Sequence, residues 1–110
     1  MTVSRASGVA VSPMSGDLRQ LAAYSQILLD NIERNWNPPP GGKGMKAKVM
    51  FRVLRTGRMF GDVKIEELNG NTYFEMAVRR AILSSSPFPS LPEDFYKQYA
   101  EFTVDFEVKD

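Results

Sequence analysis

Glu101-Phe102-Thr103-Val104-Asp105-Phe106-Glu107-Val108 alternates without a break between polar and apolar side chains. Successive side chains of an extended chain point to opposite faces. The pattern therefore predicts a strand with Phe102, Val104, Phe106 and Val108 in a core and Glu101, Thr103, Asp105 and Glu107 in water. Such a strand needs a layer over its apolar face and partners along its edges. The residues upstream supply both.

The partners come from a hairpin. Ala47, Val49, Phe51 and Val53 alternate with Lys46, Lys48, Met50 and Arg52. Arg55-Thr56-Gly57-Arg58 reads as the turn, with Gly57 able to take a positive φ. The return strand is predicted over Met59 to Leu68, with Val63 and Ile65 inward and Asp62, Lys64 and Glu66 outward. Asn69-Gly70-Asn71 ends it and offers Asn71 as a helix N-cap.

The covering layer comes from two helices. One is predicted over Asp17 to Asn35, capped by Ser15 or Asp17. Its stripe is Leu21, Tyr24, Ile27 (or Leu28), Ile32 and Trp36, and Pro38-Pro39-Pro40 stops it. The other is predicted over Thr72 to Ser85, burying Phe74, Ala77, Val78, Ala81 and Ile82. Three prolines make residues 87–92 an extended connection, and Glu93 to Tyr99 reads as a short helical turn. The order is helix, strand, strand, helix, strand. A two-layer α+β fold satisfies every stripe, with a three-stranded antiparallel sheet and both helices on one face. Residues 1–16, rich in Ser, Gly, Ala and Val, read as a flexible tail or linker end ahead of a domain at 17–110. An extra edge strand from Val9 to Val11 is the alternative.

Composition narrows the chemistry. At 110 residues and 43% hydrophobic, the chain is one domain with one core. It has no cysteine and no histidine, which excludes disulfides, thiolate nucleophiles, imidazole metal ligands and histidine bases. The carboxylates fall where solvated faces expect them, so no enzyme, metal or cofactor is expected. With 14 basic and 13 acidic side chains, net charge points to no particular partner. Residues 1–16 do not form a signal peptide. Any export or anchoring segment is therefore expected outside this sequence.

Four pieces, in this order and spacing, resemble the carboxy-terminal domain of the TonB/TolA envelope proteins. They are the helix with Tyr24, Ile27 (or Leu28), Ile32 and Trp36 before Pro38-Pro39; the hairpin from Val49 through Arg55-Thr56-Gly57-Arg58 to Ile65; Gly70-Asn71-Thr72-Tyr73-Phe74-Glu75-Met76-Ala77; and Pro87-Phe88-Pro89 with Leu91, Pro92 and Phe95. The resemblance spans about Leu21 to Asp110. The long first helix leans towards TolA, while the lack of cysteine departs from TolA examples that carry a disulfide.

The resemblance implies a non-catalytic periplasmic coupling domain. In that reading it is tethered to the inner membrane and to a proton-driven motor complex through an upstream region. Its partners are peptide segments of outer-membrane receptors or periplasmic proteins, added as a strand at the sheet edge. The implied docking edge is the last strand: Glu101, Phe102, Thr103, Val104, Asp105, Phe106, Glu107 and Val108. The acidic outward row there favours a peptide with basic or polar side chains. The same edge suits pairing with a second copy, and the tail suits swapping.

Other readings compete with this one. A generic protein-interaction domain of the same fold is the first. A nucleic-acid binder using Lys43, Lys46, Lys48, Arg52, Arg55 and Arg58 is the second. No nucleic acid is expected, because Phe51 and Phe60 do not form paired stacking positions and Asp62, Glu66 and Glu107 are placed to neutralise the bases. Trp36 reads as a helix-end packing residue before a ligand-stacking one.

Overall fold

The computed structural model describes residues 3–4, 8–14 and 18–109. The elements in chain order are β1 (Val3–Ser4), β2 (Val9–Pro13), α1 (Leu18–Arg34), β3 (Lys46–Leu54), β4 (Lys64–Asn69), α2 (Thr72–Ser85) and β5 (Tyr99–Glu107). The strands form one antiparallel sheet in the order β1-β2-β5-β3-β4. The fold is the α+β class expected, but the sheet has more than three strands. Part of the expected tail, Val9–Pro13, is a strand paired with β5. The proposed caps Ser15 and Asp17 lie outside the described residues.

Alternation places the core as expected: Ala47, Val49, Phe51 and Val53 of β3 and Phe102, Val104 and Phe106 of β5 are all buried. Helix α1 covers them with Leu21, Tyr24, Leu28, Leu29 and Ile32. Of the two candidates in its stripe, Leu28 is the core residue and Ile27 is exposed. Leu28 lies one helical turn from both Tyr24 and Ile32, so it continues their row; Ile27 falls to its side. The last turn tightens through Asn35 N–H to Ile32 O and Trp36 N–H to Glu33 O. That brings the Trp36 ring onto Phe106 at 4.7 Å and edge-on to Phe74 at 6.0 Å.

In α2 the Asn71 side chain accepts the Phe74 N–H at 2.9 Å, capping an orphan donor at the expected place. At its other end, Ser85 Oγ donates to Ala81 O at 2.7 Å and accepts from Asn35 Nδ2 at 3.0 Å, the second bond tying α2 to α1.

The return strand is shorter than expected. Met59 makes only an isolated bridge to Val53, and β4 begins at Lys64. Gly61 at φ 80° and an Asp62 carboxylate that accepts the Val63 N–H break the extended run. The segment 93–98 forms no helix; it makes one turn, Phe95 N–H to Pro92 O, and β5 then starts at Tyr99.

The proline-rich connection between α2 and β5 is pinned rather than free. The Arg55 guanidinium donates to the Pro92, Phe95 and Lys97 carbonyls, and Arg55 O accepts the Leu91 N–H. The Tyr24 hydroxyl donates to Pro89 O at 2.6 Å. Burial pushes the Tyr24 phenol well above its usual range. The folded state thus holds that proton more tightly than the unfolded chain, where a phenol titrates near ~10. The corresponding stability is complete below about pH 10 and falls as pH rises beyond it. Tyr24→Phe is expected to lose about 1 kcal/mol at neutral pH, because Pro89 O loses its donor. It is also expected to flatten the alkaline fall in melting temperature. A scan of melting temperature against pH for both proteins checks this; parallel curves would overturn it.

Candidate partner-binding edge

The eight residues expected to form the docking edge do lie together, on or just after β5, but β5 is not an edge. It pairs with β3 from Tyr99 to Glu107 and, on its other side, with β2 from Phe102 to Phe106. Phe102, Val104, Phe106 and Val108 are buried. Glu101, Thr103 and Glu107 are half-buried and Asp105 is exposed on the outer face.

The register with β2 explains how so short a strand holds there. Gly8 O accepts the Glu107 N–H at 2.8 Å and the Met14 N–H donates to Glu101 O at 3.0 Å. In an antiparallel ladder hydrogen-bonded and non-bonded pairs alternate. With Ala10 opposite Asp105 and Ser12 opposite Thr103, the bonded positions of β2 are therefore Gly8, Ala10, Ser12 and Met14. Pro13, opposite Phe102, falls at a non-bonded position, where the missing N–H costs nothing on the β5 side. Gly8 adopts φ 91°, and a Cβ there would lie 2.1 Å from the Glu107 carbonyl oxygen. Only glycine lets the chain enter this ladder at that point.

Val9 and Val11, 1% and 0% exposed, fill the inward positions beneath α1. Two buried valines, each contributing roughly 1.5 kcal/mol, and the ladder bonds to β5 hold the strand in place.

The outer face carries a cross-strand charge ladder. Lys46 stands opposite Glu107, Lys48 opposite Asp105 and Arg52 opposite Glu101. Arg52 pairs with Glu101 at 3.4 Å, and Lys48 reaches away from Asp105 to Glu67 at 3.6 Å. Of the three acids expected to neutralise the basic row, Glu107 stands opposite a base, Lys46, in the register. Asp62 caps Val63 instead, and Glu66 is left without a register partner by the bulge at Lys48/Val49. These pairs lie at the surface, exposed or half-buried, and each contributes little stability, but they interrupt any continuous positive surface. At the Glu107 end the face hollows into a cleft of about 580 Å³, whose lining includes Ala10, Lys46, Lys48, Asp105 and Glu107. At the other end, Phe60 packs on Tyr99 at 6.0 Å with Arg52 over the Tyr99 ring, a surface cluster that strand alternation does not reveal.

The remaining edge, β4, is exposed along most of its length and carries Lys64, Glu66 and Glu67, charges that blunt an edge against pairing. Among the described residues, no helix is long and apolar enough to cross a membrane.

Comparison with known proteins gives two matches. A family described as TonB C terminal matches residues 21–106. A solution NMR structure of TolAIII bound to a peptide derived from the N-terminus of TolB is similar in fold: TM-score 0.60 and 16% identity, covering 77% of this chain and 72% of that one. No curated protein matches the sequence.

Proposed function

The chain belongs to the TonB C-terminal family, and on that premise we propose that it is a non-catalytic interaction domain of an envelope energy transducer, taking extended partner segments along β5. One observation carries the reading. Within the family segment, residues 21–106, the sheet reduces to β5-β3-β4, and β5 is paired on one side only. The strand on its other side, Val9–Pro13, lies outside that segment. The family unit thus leaves the β5 edge open, and its bonded positions suit a strand added antiparallel.

The TolAIII structure contains a TolB-derived peptide, and a comparable extended segment of a periplasmic or outer-membrane protein is the ligand we assign here. The domain then works in the periplasm, linked through upstream sequence to an inner-membrane motor. A titration of the ¹⁵N-labelled chain with TolB N-terminal and receptor-derived peptides tests this. Amide shifts are expected along Tyr99–Glu107 and over Val9 to Ser12, with an affinity that changes little with salt. Flat spectra there, with salt-sensitive shifts over residues 46–58 on adding RNA or DNA, would overturn it.

A further inference from the structure

We propose that β2 is a built-in placeholder: residues 8–14 occupy the edge that a partner strand takes, and their side chains spell out the partner's pattern. That pattern is an extended segment with two valine-sized residues at alternate positions and a basic residue between them. The inference rests on β5 being the docking edge.

Three observations carry it. First, the occupancy is partial. The nine-residue β3 follows β5 along its whole length, whereas the ladder to residues 8–14 runs from Glu107 only as far as Glu101, and the outer edge of β2 is met by the two-residue β1. A longer incoming strand repeats the same ladder and extends it towards Tyr99. Second, the inward slots are small. Val9 and Val11 are fully enclosed and Pro13 is buried, so an aromatic side chain entering there would overpack the space under α1. Third, the outward slot is under-filled. Ala10 stands opposite the exposed Asp105 and opens onto the cleft, while Lys48 is turned to Glu67. Among the described residues no cation pairs with Asp105. A lysine or arginine at the Ala10 position gains the cross-strand partner that β2 itself forgoes.

Because the edge binds only when β2 has left it, apparent affinity is scaled down by the fraction of molecules in which β2 is detached. The test uses the full chain in three forms: the native sequence, Ala10→Pro and Ala10→Lys. Ala10→Pro removes the N–H that points at β5. The probe is a synthetic peptide of residues 8–14, with a second version in which lysine replaces Ala10. Ala10→Pro is expected to bind the probe about tenfold more tightly than the native chain. The lysine peptide is expected to bind Ala10→Pro roughly twofold to fivefold more tightly than the plain probe. Ala10→Lys, whose own strand gains the ion pair, is expected to bind least. Should Ala10→Pro fail to fold, Gly8→Val loosens the same strand from its end, since its Cβ meets the Glu107 carbonyl.

Equal affinities across the three chains, or native Val9 and Val11 amides that keep their paired positions while probe is bound, overturn the placeholder. The two readings fail separately. Partner-derived peptides that bind the native chain and Ala10→Pro equally leave the docking edge standing and remove the placeholder. A probe that binds Ala10→Pro where no partner-derived peptide binds either chain supports the removable strand and removes the proposed function.

Discussion

Gly57→Ala is expected to destabilise the domain by about 3 kcal/mol or more, a large share of the ~5–15 kcal/mol that holds a domain of this size together. Gly57 closes the β3 turn at φ 96°, where an L side chain costs roughly 1–2 kcal/mol. The space is filled as well. A Cβ would lie 1.9 Å from the Phe88 carbonyl oxygen and 2.9 Å from Pro89 O, both backbone atoms of the pinned connection. Relief requires moving that connection, which weakens the bonds from the Gly57 N–H to Leu54 O and from the Phe88 N–H to Gly57 O, each contributing about 1 kcal/mol. Gly61→Ala isolates the conformational part: φ is again positive, at 80°, but nothing lies within 4 Å of the added carbon. Thermal melts should show Gly57→Ala down by roughly 10 °C or more and Gly61→Ala by far less. Similar losses for the two would mean that the contact with Phe88 is not what constrains the turn.

Period carried most of the fold into the sequence. Helix α2 occupies Thr72–Ser85 as its stripe implies, because Asn71, the apolar spacing and Ser86-Pro87 agree about both ends. Period says which face a side chain takes; it says nothing about who lies alongside. Nothing within Glu101–Val108 tells whether one edge of that strand is filled or two. The filling strand is only Val9–Pro13; its small residues and proline read first as linker, with an edge strand from Val9 to Val11 as the alternative that the pairing favours. The signal that was present is narrow: Val9 and Val11 in alternation, glycine at one end, and Pro13 two residues after Val11, where its missing N–H is harmless. Register was likewise out of reach. A single bulge at Lys48/Val49 sets Glu67, rather than Glu66, beside Lys48. Bulges depend on how two strands twist against each other and leave little trace in either one.

Trp36→Ala is expected to cost about 3–5 kcal/mol, the range for emptying a buried aromatic site. The ring is only 8% exposed and joins three elements: it ends the α1 segment, packs on Phe106 of β5 and meets Phe74 of α2 edge-on. Its removal leaves a void where the helix layer meets the strand assigned to partner binding. Trp36→Phe tests whether shape or chemistry matters. A phenyl ring keeps the contact with Phe106, and the indole N–H makes no hydrogen bond to any described residue, so no partner is orphaned by its loss. That variant is expected to lose about 1–2 kcal/mol, less than half the alanine penalty. Urea melts followed by circular dichroism measure both, since Trp36 is the sole tryptophan and its fluorescence disappears with it. The same variants decide the ligand-stacking alternative. A packing residue moves stability first, and peptide affinity only as β5 loosens. If Trp36→Ala left stability within about 1 kcal/mol of the native chain while abolishing peptide binding, the ring would be contacting the partner and the helix-end packing would be secondary.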